Sequence, residues 1–243
     1  MSRTSAVIAG LMAGGLIAAV NVQPSHAEQH FEVFGGGDIT NHSWFGYIGG
    51  VVAPMSDINE SGVLLRGLFG YGDYEYGTRF PGAVGGIPTT VDGEITAGEI
   101  MGGYQWAGPQ TVVKLFAGVQ FQDHDLSPND IRNTVRGGDT GAKFQGEIYQ
   151  SLSDSVWASA IGTYSTSFDT YWTRARLGFN VAPDWSVGPE GGIFGNERFD
   201  QWRVGGFARR QFGSNALTLN AGLADDRNEG DSAYGGVTYS LRF

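Results

Sequence analysis

VVKLFAGVQFQDHDLSPNDIRNTVRGGDTGAKFQGE, from Val112 to Glu147, is the stretch that decides the fold. It reads as a strand, a long polar loop and a second strand. Leu115, Ala117, Val119 and Phe121 fall on one face, with Lys114, Phe116, Gly118 and Gln120 on the other. After the loop, Phe144, Gly146 and Ile148 alternate with Lys143, Gln145, Glu147 and Tyr149. A period of two means extended chain, because successive side chains leave a strand on opposite faces. Lysines and a glutamate deep within both strands suit a barrel with a lipid-facing exterior and a wet interior.

The composition agrees with half of every strand facing lipid. Gly supplies 40 of 243 residues, aromatic residues 13% and charged residues only 16%. The glycines follow no collagen period. Cysteine is absent, which excludes disulfides and thiolate metal sites and fits an oxidising compartment.

Arg3, the apolar run Ala6–Val20 and the small-x-small site Ser25-His26-Ala27 read as a signal peptide over 1–27, leaving 28–243 as the barrel. The apolar run is short for a membrane span. Removing the segment takes one Arg, so 15 − 1 = 14 basic against 25 acidic residues gives a net charge of −11. That balance argues against nucleic acid and against a polybasic membrane-surface binder.

Alternation and turn residues place strands near 31–40, 43–54, 62–77, 90–106, 111–125, 138–152, 155–169, 171–182, 185–197, 199–211, 216–227 and 231–243. Twelve is even, as both termini on one side of an antiparallel barrel require. Ten is the alternative if 31–54 forms a leader plug. Short turns (Asp57–Gly62, Ala107–Gln110, Ser153–Asp154, Pro183–Asp184, Gly213–Asn215) alternate with Thr78–Thr89, Leu126–Gly137 and the tip Arg227–Asp231. The six tryptophans, Trp44, Trp106, Trp157, Trp172, Trp185 and Trp202, all lie near strand ends, as two aromatic girdles would have them. The final strand, YGGVTYSLRF, alternates and stops on Phe243, resembling the signal by which barrels are recognised for outer-membrane assembly.

If the apolar faces meet lipid, the lumen holds Arg66, Lys114, Lys143, Arg174, Arg176, Arg203 and Arg209 with Glu99, Glu147 and Glu190. An Arg or Lys turned to the bilayer midplane costs about 2–4 kcal/mol. Two readings follow: a salt-bridge network filling a narrow barrel, or an excess of cations that binds an acidic or polyhydroxylated ligand. Catalytic constellations are thin. His124, between Asp123 and Asp125 and near Ser127, invites comparison with barrel lipases, but a nucleophilic Ser must be hydrogen-bonded to an oriented base. Asp123, Asp125, Asn129 and Asp130 could offer oxygen ligands to a hard cation. Their spacing does not match the twelve-residue calcium loop, and Pro128, Asn129 and Asp130 most simply make a turn. No cofactor or metal is expected.

Several segments resemble the cellulose biosynthesis protein BcsS family of alphaproteobacteria. They are Gly102-Gly103-Tyr104-Gln105-Trp106, the run from Ala117 to Asp130 containing Asp-His-Asp-Leu-Ser-Pro-Asn-Asp, Tyr164-Ser165-Thr166, Phe168-Asp169-Thr170-Tyr171-Trp172, Gly188-Pro189-Glu190 and Gly195-Asn196-Glu197. The resemblance spans essentially 35–243 and implies an outer-membrane accessory of cellulose production; it carries over no catalytic residue. The expectation is a non-enzymatic outer-membrane barrel in contact with lipid, and with cellulose or cellulose secretion components as partners. The alternatives are a lipid hydrolase using His124 and Ser127, and a purely structural barrel.

Overall fold

The computed structural model describes residues 28–80, 86–226 and 230–243. The expected signal segment 1–27 lies outside them, as do 81–85 and the tip residues 227–229. Among the described residues twelve strands follow one another: β1 (Phe31–Ile39), β2 (Ser43–Val52), β3 (Gly62–Phe80), β4 (Ile87–Ala107), β5 (Thr111–Ser127), β6 (Gly137–Ser153), β7 (Val156–Ser165), β8 (Thr170–Ala182), β9 (Trp185–Asn196), β10 (Phe199–Phe212), β11 (Asn215–Asp226) and β12 (Gly230–Arg242). Each pairs antiparallel with its neighbours in sequence, and β1 closes on β12. Residues 31–54 therefore contribute two wall strands rather than a leader plug. Closure gives every strand two partners, the condition for spanning hydrocarbon with strands. No helix among the described residues is long and apolar enough to cross a membrane, which says nothing against a barrel.

Alternation sets the two faces. On β5, Leu115, Val119 and Phe121 are about half exposed on the outside, while Phe116, Gln120 and Gln122 are buried on the inside. The outward apolar run on β3 from Val63 to Tyr71, nine positions, contains Leu65 and Phe69 at about half exposure. At about 3.3 Å per residue and a tilt of about 40°, nine residues rise roughly 23 Å, close to the apolar band of such barrels.

The seam rests on the C-terminus. The Phe243 carbonyl accepts from the amides of His30 (3.0 Å) and Phe31 (2.9 Å), and its amide donates back to the Phe31 carbonyl (2.9 Å). The two phenyl rings stack at 5.7 Å. The alternating last strand ending in an aromatic thus closes the wall.

Three expectations require correction. Only Trp44, Trp106, Trp185 and Trp202 face outwards, each 41–50% exposed. Trp157 is 6% exposed and packs on Phe207 (5.5 Å) inside the barrel, and Trp172 lies under Arg174 on the inward face of β8. Second, the outer loops are shorter than expected, because β3 runs on to Phe80 and β4 begins at Ile87. That hairpin carries seven residues of β3 beyond Asp73, the partner of Trp44, so it stands roughly 20 Å above the girdle. Third, the interior is not wet throughout. Val51, Ala53, Ile58, Leu64, Met101 and Phe116 form an apolar cluster inside the wall, built on the β2–β3 connection. That connection is pinned by Gln105, whose side-chain amide donates to the carbonyls of Ile58 (3.0 Å) and Glu60 (2.7 Å).

Inward rings need room, and glycine on facing strands supplies it. A Cβ on Gly178 would collide with the Trp157 ring, one on Gly93 with Tyr74, and one on Gly49 with Phe34. Much of the high glycine content is thus the complement of a lumen filled with aromatic side chains.

Candidate functional site

The lumen is filled at three levels. The end at which β1 begins and β12 ends, the terminal end, holds the apolar cluster. Ion pairs lie beside it and above it: Glu32 stands opposite Val51 in register, and Lys114 precedes Phe116 on β5. Glu99, with its side chain 2% exposed, accepts from Arg66 Nε at 3.0 Å and pairs with Lys143. Arg176 Nε meets Glu190 at 2.7 Å, and the Tyr234 hydroxyl donates to the same carboxylate at 2.9 Å. Lys114 faces Glu147 at 3.8 Å, Arg203 faces Asp38 at 3.5 Å, and Arg242 faces Glu32 at 3.1 Å. Arg66 and Arg203 also lie over the rings of Phe34 (4.7 Å) and Phe194 (4.4 Å). A buried pair holds only when its other lone pairs and protons are also engaged, and this network largely does so.

All ten lumen candidates, Arg66, Glu99, Lys114, Lys143, Glu147, Arg174, Arg176, Glu190, Arg203 and Arg209, stand on the inward faces of their strands. Arg174 and Arg209 have no carboxylate within ion-pair distance among the described residues. Trp157, Trp172, Asp38, Glu32 and Tyr234 belong to the same interior, beyond the ten expected from the sequence. Trp172 shares its parity with Arg174 and Arg176, and that signal was available in the sequence.

The third level is at the opposite, loop end. His124 is 4% exposed. Its Nδ1 lies 2.9 Å from the Tyr74 hydroxyl, Phe168 stands edge-on at 5.2 Å, and Gln122 Oε1 is 3.4 Å from Nε2. Over this cluster folds the connection 128–136, with Asp130 and Val135 buried. Tyr76 donates to Asp130 (3.3 Å) and Asn133 to Tyr76 (2.9 Å). Across the mouth, Thr134 donates to Glu197 (2.7 Å), while Arg198 donates to the Thr134 hydroxyl (3.1 Å) and the Arg132 carbonyl (3.1 Å). The loop is a cover spanning from β5–β6 to the β9–β10 hairpin.

This geometry does not build the Ser–His pair considered above. Ser127 lies three positions beyond His124, so its side chain leaves the opposite, outward face of β5, and the imidazole is already engaged by Tyr74 and Gln122. Nor do the oxygen ligands converge. Asp123 and Asp125 face out, Asn129 is exposed in the loop, and Asp130 points in towards Tyr76. Among the described residues no group of three or more His, Cys, Asp or Glu is placed to hold a metal ion. A recess of about 650 Å³ opens on the outside of the wall between Leu115, Ile148, Ala175 and Ile193; it lies in the apolar band, away from the polar interior.

Outside, the loop-end girdle pairs aromatic donors with carboxylates: Trp44 Nε1 with Asp73 (2.6 Å), Trp202 Nε1 with Asp225 (3.0 Å), the Tyr164 hydroxyl with Asp169 (2.7 Å), and Tyr171 with Asp200. At the terminal end the partners differ. Arg210 lies over Trp185 at 5.6 Å, and Tyr239 donates to Asn215 at 2.8 Å.

A closed antiparallel barrel with an apolar belt, two aromatic girdles and a charged interior defines the class as an outer-membrane β-barrel. The transport unit of the Escherichia coli autotransporter AIDA-I superposes with a TM-score of 0.52 at 10% identity, covering 96% of this chain and 93% of that one. The β domain of the Bordetella autotransporter BrkA gives 0.50 at 14%, over 89% and 100%. The KdgM porin aligns at 0.45 and 7%, over 87% and 99%. Such identities speak to fold alone. No curated protein sequence matches the chain. The family model for cellulose biosynthesis protein BcsS matches residues 32–243, and the chain belongs to that family.

Proposed function

We propose that the protein is exported by cleavage of residues 1–27 and resides in the outer membrane. There it serves cellulose production as a non-enzymatic accessory barrel that anchors secretion components or assists export, and it is not the polysaccharide conduit. The observation that carries this reading is the crowded lumen: apolar cluster, ion-pair network and loop cover together occupy it from one end to the other. A glucan chain has no path that leaves Glu99 with its two cations. The loop end, with its projecting β3–β4 hairpin and its rings partnered by carboxylates, faces outwards in this reading. Exposed rings can stack on glucan while carboxylates accept from its hydroxyls.

The test is deletion of the chain from a cellulose-producing host, complemented by wild type, by Trp44→Ala/Trp202→Ala and by His124→Ala. Loss of extracellular cellulose on deletion, with unchanged outer-membrane lipid composition, is expected. Reduced cellulose attachment in the double tryptophan variant would support contact at the rim. Altered lipid acylation that follows His124 would replace this reading with a hydrolase, and unchanged cellulose in the deletion strain would refute it.

A further inference from the structure

We propose that the lumen holds a multivalent oxyanion, of phosphate or carboxylate chemistry, on a ladder of arginines rising from the terminal end. Arg242 ends β12, Arg209 stands three positions short of the end of β10 at Phe212, and Arg176 and Arg174 stand six and eight positions short of the end of β8 at Ala182. All four face inwards. Arg242 is within electrostatic reach of Arg209, Arg209 of Arg176, and Arg176 of Arg174. Adjacent members of the ladder therefore repel one another; Glu190 and Asp38 near Arg174, and Glu32 near Arg209, offset this only as carboxylates already shared with Arg176, Arg203 and Arg242.

Their carboxylates are too few. Glu32 is taken by Arg242 and Glu190 by Arg176 and the Tyr234 hydroxyl. Asp38 lies against Arg203. Arg174 and Arg209 are left without an ion pair, so the ladder carries four guanidinium charges against two carboxylates. Of the other inward acids, Glu99 is shared by Arg66 and Lys143, Glu147 faces Lys114, and Asp130, Asp139 and Asp226 stand at the loop end. A second, independent sign is Arg176 Nη2. It is buried and has no hydrogen-bond partner, although the side chain is only 10% exposed. Natural proteins rarely leave a buried guanidinium donor unmet.

Two charges without an ion pair, on partly buried side chains inside a wall that faces hydrocarbon, favour a counter-charge. The planar forks of Arg174 and Arg209 suit the paired oxygens of a phosphate or carboxylate better than a spherical halide. Arg242, 38% exposed at the terminal end, marks the side from which a small anion would enter.

The test uses the full-length barrel refolded in detergent, with inorganic phosphate as the probe and sodium chloride at matched ionic strength as the control. The barrel should broaden the phosphorus NMR line of phosphate, and phosphate should raise the urea midpoint of the wild type, both saturably; sodium chloride should leave the midpoint unchanged. Arg174→Gln/Arg209→Gln should weaken the phosphate response at least tenfold. Ser186→Glu supplies the missing carboxylate from within, because Ser186 sits opposite Arg209 in register on β9. It should keep the mobility difference between unheated and boiled protein on gels while abolishing the phosphate response. A wild type that responds to phosphate no more than to chloride overturns the proposal without reference to any variant. An undiminished response in folded Ser186→Glu overturns it equally.

Discussion

Glu99 shows how much of the interior rests on single side chains. It is almost fully buried and compensates two cations from different strands, Arg66 on β3 and Lys143 on β6. Glu99→Gln keeps the shape and removes the charge, stranding both cations. Loss of one partner from a buried pair costs about 3–5 kcal/mol, so the urea midpoint of the folded barrel should fall accordingly, and restoring the acid should recover it. Alternation alone turned these residues inwards on paper. It could not pair them, because the partners lie 33 and 44 positions away in sequence and meet only through strand register. Asp57 makes a separate point outside the membrane band. Limited desolvation pushes its carboxyl up, but hydrogen bonds from the Gln29 amide and from the amide and side chain of Asn59, with the charge of His30, together hold it below the usual carboxylate range. A depressed carboxyl contributes stability above its unfolded value near 3.9 that is lost as pH falls through the folded value. The site is largely solvated, so the effect is under about 1 kcal/mol. The gap in melting temperature between wild type and Asp57→Ala should be present at pH 5 and narrow below about pH 4.

Elements were more legible than their connections. A period of two with turn residues found all twelve strands, because each strand is read by the same two solvents, lipid and lumen, along its whole length. The covers at the two ends follow no such period. The connection 128–136 reads as a polar turn, yet its partners Glu197 and Arg198 come from a hairpin more than 60 positions away. The β2–β3 connection contributes Ile58 to the apolar cluster, and one buried Ile in a polar run gives no warning of that. The place of Trp157 and Trp172 near strand ends suggests girdles, whereas their parity puts them inside. Three exposed hydrogen bonds among the described residues tie the cover across the mouth, each worth about 0.5 kcal/mol. Thr134→Val with Arg198→Ala should therefore lower its opening free energy by about 1.4 kcal/mol, raising the open population roughly tenfold. Trypsin, which cuts after Arg132 and Arg136, should cleave that connection about tenfold faster while the barrel stays resistant. Unchanged cleavage would mean that Asp130 and Val135, not the bridge to the β9–β10 hairpin, hold the loop down.

At the scale of the whole molecule, the two ends differ in chemistry, and that difference makes a topology prediction. Even strand number brings the start of β1 and the end of β12 to one end, and Phe243 is stapled there to β1. The other end carries the longest hairpin, the cover and the carboxylate-partnered girdle. Barrels of this type keep short turns towards the periplasm and longer connections outside, so the loop end should face the medium. The absence of cysteine makes this directly measurable. Ile131, 74% exposed in the cover, and Met55, 85% exposed in the β2–β3 connection, are each accessible and each replaceable by Cys with little burial lost. A membrane-impermeant maleimide should label Ile131→Cys in intact cells and reach Met55→Cys only after the outer membrane is permeabilised. The reverse pattern would invert the barrel and place the aromatic–carboxylate rim in the periplasm, where it could meet nascent glucan rather than exported cellulose. Labelling of both positions in intact cells would mean that the terminal end communicates with the medium through the lumen, contrary to a filled interior. The same pair of variants therefore tests orientation and occlusion together, the two properties on which the accessory reading depends.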